Sequence, residues 1–565
     1  MTKVNTDKLH LKILAESCSV YGLRKLVISP GSRSAPLTLA FYNQPNIECY
    51  VIPDERSAAY FAIGIAQFTN EPVGIICTSG TAALNLSPAI AEAFHQKLPL
   101  LILTADRPDE WVGQQDGQTI NQTGIFSNFV SYQAQLPVEA FTKNEIWQTE
   151  RIIRDSFLNL KLKRLPVHIN IPLREPLYNT EEYQPLTVKP SIIKIPETII
   201  DSRNISFTNK LKNFKKVLLV LGSIRPNKTL SELINQLASK KDVVVLAETL
   251  SNIESKCVFQ ISDPLLSSIN ANNIESLKPD LIISFGEILL SKPLKQWFRS
   301  LDKTEHWLVT EEDKAPDVFQ NISQIVNLNP EAFIQTIINQ QINDKSKYFN
   351  LWNNAYNNFN NLSSSFQANA DWSDMKVFDI LSKTVPSNSI VHVGNSTPVR
   401  YSQFFKWNNN VQFYCNRGTA GIDGCTSTAI GMASQTDKTL SLITGDVSFL
   451  YDSNALWNNY KEANFKIIVI NNKGGNIFKL IPGPDKTGLL DECFMTNIPV
   501  SIEFICKAFG INYFNAKNQD ELTKNIDLLY KSTQCALLEI NTEPEVNTTG
   551  WKDYFNTIKT KMQYE

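Results

Sequence analysis

The sequence predicts an α/β protein built as three doubly wound parallel-sheet domains. Short runs rich in β-branched residues recur along the chain. Each ends at a turn containing Gly, Ser or Pro, and a helical stretch follows. Strands this apolar lack a polar face, so they belong to parallel sheets covered on both sides. The length, 565 residues, suits three domains of about 150–200 residues each.

The first series runs Leu26–Ser29 into Pro30-Gly31-Ser32-Arg33-Ser34 and Glu48–Ile52 into Pro53-Asp54-Glu55-Arg56. It continues with Val73–Cys77 into Thr78-Ser79-Gly80-Thr81, and Leu100–Leu103 into Thr104-Ala105-Asp106-Arg107-Pro108. Ahead of it, residues 1–18 read as an amphipathic helix without the apolar segment that heads a secreted chain. A Pro- and Thr-containing stretch around Pro185–Ser206 reads as a linker. A second series follows: Lys216–Leu221, Val243–Ala247, Leu281–Phe285 and Trp307–Val309. The Asn-rich stretch Asn339–Asn361 marks the next join. The last series is Ile390–Val393 into Gly394-Asn395-Ser396, Val411–Tyr414, Leu440–Thr444 into Gly445-Asp446, Phe465–Ile470 into Asn471-Asn472, and Ala536–Ile540. The expected domains are 1–185, 205–340 and 360–565. Ligands of such sheets bind outside the carboxyl ends of the strands, so these turns are where chemistry is expected.

Lys and Arg total 54 against 56 Asp and Glu, a net charge of −2. That balance gives no support to a nucleic-acid partner. No apolar run approaches the ~18 residues of a membrane span. The nine cysteines form no CxxC, which fits reduced thiols in a cytoplasmic protein.

The strongest local signal is Gly445-Asp446-Val447-Ser448 followed by Asn471-Asn472 at the end of the next strand, FKIIVI. A strand-end glycine admits a diphosphate to backbone N–H groups, and the adjacent carboxylate can hold a hard divalent cation bridging the phosphates. Asn472 adds a neutral oxygen, and the following Gly474-Gly475 lets a carbonyl turn inward. One carboxylate, one amide and one carbonyl suit magnesium.

This GD…NN arrangement resembles the diphosphate-binding motif of the thiamine-diphosphate enzymes. The motifs SPGSRSAPLTLA, DERSAAYFAIGIA, TSGTAALNLSPAIAEA, LTADRP, NRGTAGIDG and NNKGGNIF are similar to those of its menaquinone-pathway carboligases. The resemblance implies that the three blocks are pyrimidine-binding, central and diphosphate-binding domains. It also implies thiamine diphosphate with Mg2+ (or Mn2+) and a carboligation, through the cofactor's ylid, that joins 2-oxoglutarate to isochorismate with loss of CO2. Active sites would form between chains of a homodimer or homotetramer.

Residue by residue, Glu55 matches the glutamate that activates the aminopyrimidine, and Ile422 the apolar wedge that bends the cofactor. Read alone, Glu55 is a first-turn helix acid and Ile422 ordinary core. The metal ligands implied are Asp446, Asn472 and the Gly474 carbonyl. Gly394, Asn395, Gly421, Gly445 and Ser448 would meet the cofactor, with Ile477 and Phe478 lining the apolar side of its thiazolium ring. Both substrates are dianions, and guanidinium forks suit carboxylates. Arg33, Arg107, Arg400 and Arg417 match the family's substrate-binding arginines, with Ser32, Gln118 and Ser396 beside them and Lys292 as a fifth cation. Two places depart from the pattern. Gly117 precedes Gln118 where relatives carry an amide pair, and Pro293 follows Lys292 where some carry a second base. The five histidines, none adjacent to another, lack the pair expected of aldehyde-releasing 2-oxo-acid decarboxylases. Another carboligase and a non-catalytic nucleotide binder are the remaining alternatives.

Overall fold

The computed structural model describes residues 3–188, 206–268, 271–312, 314–340, 346–496 and 498–562. Of the linker expected at Pro185–Ser206, residues 189–205 lie outside them. The frame is three parallel sheets of six strands each. Across the first, the order is Glu48–Val51, Lys25–Ile28, Val73–Cys77, Leu100–Asp106, Val167–Pro172, Tyr132–Gln135. The third repeats it with Gln412–Tyr414, Ile390–Val393, Leu440–Gly445, Phe465–Asn471, Ala536–Asn541, Asn512–Ala516. The central sheet runs Val258–Gln260, Val244–Ala247, Val217–Leu221, Leu281–Phe285, Glu305–Val309, Ile322–Val326. In the first sheet the order reverses between Lys25–Ile28 and Val73–Cys77. In the third it reverses between Ile390–Val393 and Leu440–Gly445. Each reversal opens a crevice at the carboxyl ends of the strands.

Several strands lie beyond the sequence expectation. Tyr132–Gln135, Val258–Gln260, Ile322–Val326 and Asn512–Ala516 are sheet edges, where solvent admits polar residues and no apolar run forms. Val167–Pro172 is interior but carries His168 and Asn170, both bonded to Thr104 Oγ1 at 2.7 and 2.9 Å. At the N-terminus, Val4–Thr6 pairs antiparallel with Thr180–Glu182, and the helix begins only at Leu9. Much of the Asn-rich join is a helix, Ser346–Ala368. Its Tyr348, Phe349, Trp352 and Phe359 recur at helical spacing and are buried, which outweighs the polar composition.

Alternate residues of each strand feed opposite cores. Leu26, Ile28 and Leu101 pack on one face of the first sheet; Val27, Ile75 and Ile102 pack on the other. That second core also contains Leu440, Leu442 and Ile467 of the third sheet. The two outer domains therefore share one hydrophobic interior, filled by helices Glu55–Thr69 and Cys425–Ala433. Two glycines set their separation. A Cβ on Gly64 would stand 1.9 Å from the Thr428 carbonyl oxygen, and one on Gly431 2.1 Å from that of Phe61. Backbone meets backbone at both places.

Gly64→Ala forces these helices apart at an overpacking cost of about 1–3 kcal/mol, lowering the melting midpoint by roughly 2 °C or more. Gly550→Ala, in helix Pro544–Lys561 where a Cβ meets nothing within 4 Å, leaves the midpoint unchanged or slightly higher. Calorimetric scans of the two variants check the difference.

Candidate active site

Strand Leu440–Gly445 delivers Asp446 to the first turn of helix Asp446–Tyr451. The Asp446 carboxylate is buried and accepts the backbone N–H groups of Val447 at 2.7 Å and Gly474 at 2.8 Å. Burial pushes its pKa up to about 6. Asn472, also buried, donates Nδ2 to Asp374 at 2.8 Å; its Oδ1 has no protein partner among the described residues. Gly474 holds φ +90°, and a Cβ there would stand 1.8 Å from the Thr496 carbonyl, so only glycine fits this turn. The structure thus places the three expected metal ligands in adjoining strand-end turns. Their mix of one carboxylate, one amide oxygen and a backbone carbonyl fits Mg2+ or Mn2+. No group of three or more His, Cys, Asp or Glu gathers anywhere among the described residues to hold a metal by itself.

The loop after Gln412–Tyr414 carries Arg417, Gly421 and Ile422, and polar side chains brace it. Asn395 Nδ2 donates to the carbonyls of Asn416 at 2.5 Å and Gly421 at 2.6 Å, while its Oδ1 accepts from Arg417 at 2.9 Å. Ser448 Oγ donates to the Ile422 carbonyl at 2.6 Å. The side chains of Asn395 and Ser448 are therefore engaged in shaping the loop. Gly394 packs against Thr444, whereas Gly445 has open space where a side chain would be. Ile422 is half-buried at the loop's tip. Ile477 and Phe478 open the short helix Ile477–Leu480, with the Phe478 ring 5.7 Å from that of Phe494.

The cations fall into two groups. At the first sheet's edge, Arg33 donates to the Leu173 carbonyl at 3.0 Å and pairs with Glu175 at 3.2 Å. Arg107 grips the Gly117 carbonyl with two N–H groups and Asp116 at 2.7 Å. Burial and the neighbouring Arg107 push the Arg33 guanidinium below its ordinary value. Ser32 Oγ meets Tyr178 Oη at 2.8 Å, and Gln118 presents its carbonyl to Ser79 Oγ at 2.9 Å. At the third sheet's edge, Arg400 bonds the Ser396 carbonyl at 2.5 Å, and burial and Arg417 lower it likewise. Arg417 keeps a buried Nε with no partner. Two arginines thus stand at the carboxyl ends of each outer sheet, the first two already paired with Glu175 and Asp116 and the second two without an ion pair among the described residues. No hydrogen bond or ion pair among the described residues joins these two groups within one chain.

Glu55 opens helix Glu55–Thr69, half-buried. Its neighbours are tied to the third domain: Asp54 accepts from Asn454 at 2.7 Å, and Arg56 donates to the Tyr451 carbonyl at 2.8 Å. The Glu55 carboxylate itself makes no hydrogen bond among the described residues.

Lys292 starts helix Lys292–Arg299 with its side chain exposed in the single chain. Lys295, one turn on, is half-buried and close enough to Arg417 for their repulsion to lower its pKa, second to the effect of burial and the attraction of Glu248. Sequence reasoning also missed Glu92, whose carboxylate accepts the N–H of Gly418 at 2.7 Å and both the N–H and the hydroxyl of Thr419 at 2.6 Å. An acid inside the apolar run PAIAEAF was its signal. Asn476, buried with neither amide atom partnered, had none.

Glu248 holds the turn ahead of Lys292 through N–H bonds from Leu290 and Ser291, both 2.7 Å. Full burial lifts its pKa from 4.5 to about 7. Between those values the folded chain keeps a proton that the unfolded chain releases, so this group's contribution to stability falls as pH rises. Glu248→Gln removes that slope, seen as a melting difference from the native chain that changes between pH 4.5 and 7 and is flat outside it.

Sequence comparison agrees with this geometry. Residues 11–125 match "Thiamine pyrophosphate enzyme, N-terminal TPP binding domain", 198–393 "Middle domain of thiamine pyrophosphate", and 393–540 the corresponding C-terminal TPP binding domain. A Flavobacterium johnsoniae protein named 2-succinyl-5-enolpyruvyl-6-hydroxy-3-cyclohexene-1-carboxylate synthase is 37% identical over 552 residues, 96% of this chain and 98% of that one. A Porphyromonas gingivalis protein of the same name is 37% identical over 571 residues, 98% of each. Among solved structures, benzoylformate decarboxylase from Polynucleobacter necessarius aligns with TM-score 0.71 over 94% of this chain and 98% of that one. At 14% identity it speaks for the fold alone. On the three matched domains and these near full-length relatives, the chain belongs to the thiamine pyrophosphate enzymes and, within them, to the 2-succinyl-5-enolpyruvyl-6-hydroxy-3-cyclohexene-1-carboxylate synthase family.

Proposed function

We propose that this chain joins 2-oxoglutarate to isochorismate with release of CO2, the carboligation of menaquinone biosynthesis named in its relatives. The observation that carries the reading is the cation set. Arg33 and Arg107 stand at the first sheet with Glu175 and Asp116 as their ion-pair partners, and Arg400 and Arg417 stand at the third with no ion pair among the described residues. Two dianionic substrates match four guanidinium groups, whereas a pyruvate-using carboligase has too little charge to need them.

Thiamine diphosphate, when bound, supplies the carbon nucleophile that attacks the 2-oxo group and the electron sink that accepts the charge after decarboxylation. Asp446, Asn472 and the Gly474 carbonyl would hold Mg2+ or Mn2+ for the diphosphate, with open space at Gly445 beside them. Glu55, whose carboxylate makes no hydrogen bond among the described residues, would hold the proton needed at the ring nitrogen of the aminopyrimidine. Ile422 supports that ring, and Ile477 and Phe478 exclude water from the apolar side. The arginines, with Ser32, Gln118 and Ser396, orient the carboxylates, and Lys295 reinforces Arg417 where Lys292 faces solvent. The family resemblance implies that a second copy completes the site, as a homodimer or homotetramer. The nine unpaired cysteines suit a reducing, cytoplasmic setting.

A decarboxylase that releases aldehydes needs proton donors at the site. His10, His168, His306 and His392 are buried in separate elements, with pKa values pushed down to about 3 or 4, largely by burial. These four are scattered, and the fifth, His95, is exposed with its Cβ beside Gly418. No hydrogen bond or ring contact joins two histidines among the described residues, which favours capture of the intermediate by carbon.

Purified protein with thiamine diphosphate and Mg2+ should release CO2 from 2-oxoglutarate while consuming isochorismate; turnover of pyruvate in place of that pair overturns the assignment. Glu55→Gln should bind cofactor within a few-fold of the native chain but lose about 10²–10⁴ in kcat, checked by calorimetry beside a steady-state assay. Arg107→Ala and Arg417→Ala should each raise the substrate KM by about 10–100-fold, as loss of a charge-assisted bond implies. Cofactor affinity should not move in either.

A further inference from the structure

The turn that carries Asn472 leans on a buried carboxylate that none of the roles above uses. Asp374, fully buried, opens helix Asp374–Thr384. Around it every hydrogen-bond direction follows from one unambiguous donor. The Asp374 backbone N–H can only donate, and it reaches Asn547 Oδ1 at 2.7 Å. The Asn547 amide must then present its NH2 group inward, where it meets Asp374 Oδ1 at 3.1 Å and Thr542 Oγ1 at 3.1 Å. Since the Thr542 hydroxyl accepts from Asn547, its own hydrogen is free for Asp374 Oδ1, 2.6 Å away. That leaves Asp374 Oδ2, an acceptor, facing Asn472 at 2.8 Å.

An amide side chain has a donor end and an acceptor end of nearly the same shape, and only its partners decide which way it points. A carboxylate at one end compels Asn472 to turn Nδ2 toward it and Oδ1 away. A cation needs the oxygen; the NH2 end would repel it. We infer that Asp374 is a positioning residue of the cation site, fixing the Asn472 amide so that Oδ1 faces the ion held with Asp446 and Gly474. The inference rests on the reading of Asp446, Asn472 and Gly474 as that site. It explains why an acid is kept in the interior with three side-chain donors and no cationic partner among the described residues.

Exchanging the two side chains tests it. Asp374→Asn gives residue 374 an NH2 group that can donate to Asn472 Oδ1, which turns the wrong end of Asn472 to the ion. Mn2+ affinity, read from the free-ion electron paramagnetic resonance signal with thiamine diphosphate present and no substrate, should fall by about 10–100-fold. Asp374→Asn combined with Asn472→Asp restores one carboxylate against one amide and returns an oxygen to the ion, so affinity should recover to within a few-fold of the native chain. Asp446→Ala, expected to lose the ion, is the reference. If Asp446→Ala binds Mn2+ like the native chain, the cation site itself is misread. If Asp446→Ala loses binding while Asp374→Asn keeps it, this inference fails and the site stands. Should the single variant unfold, the exchanged protein decides. Folding without recovered affinity, or failure to fold, assigns Asp374 to the scaffold alone and overturns the inference.

Discussion

The contact of Gly64 with Thr428, and of Gly431 with Phe61, brings two helices to backbone distance inside a core that two domains share. Both helices start at the proposed site. Glu55 opens one, and the Gly421-Ile422 loop runs directly into the other. Any side chain at either glycine would force these two helices apart. Close packing transmits such a change because protein interiors are nearly incompressible. The separation of the two domains is therefore set far from solvent, by two absent side chains, and the polar chemistry at the rim inherits it.

On that frame, buried acids do the fine placement. Glu92 reaches from the first domain to hold the backbone of Gly418 and Thr419. Asp452, fully buried, accepts the N–H and hydroxyl of Ser427 at 2.7 and 2.9 Å and so caps helix Cys425–Ala433. Each carboxylate is surrounded by donors, which makes its burial tolerable. Each also defines the direction of the groups it binds, as an apolar side chain of the same volume could not. The arginines work the other way. Arg33 and Arg107 hold Glu175 and Asp116, whereas Arg400 and Arg417 have no ion pair among the described residues and keep their charge for a bound anion.

What could be read from the chain followed what burial writes into it. Interior strands such as Leu100–Asp106 and Phe465–Asn471 are apolar on both faces and stood out; edge strands such as Ile322–Val326 meet water and did not. Glu55, Asp446 and Asn472 were visible because their neighbours form motifs at strand ends. Lys295 was not, because helical rotation, which no spacing to Arg417 reveals, turns it inward and Lys292 outward. Nor could the sequence show that the side chains of Asn395 and Ser448 are occupied by carbonyls of their own domain. Glu92 and Asp374 act across about a hundred residues or more of chain, and a single sequence carries no record of who faces whom at that distance.

The Glu92 bond crosses a domain boundary, and this bears on how such a chain can be rearranged. The loop bearing Arg417 and Ile422 is encoded with the third domain yet hangs from the first. A chimera that takes its last domain from a relative would carry a loop cut to fit another anchor. The unit of inheritance for this site is therefore the pair of outer domains together, whatever stands between them.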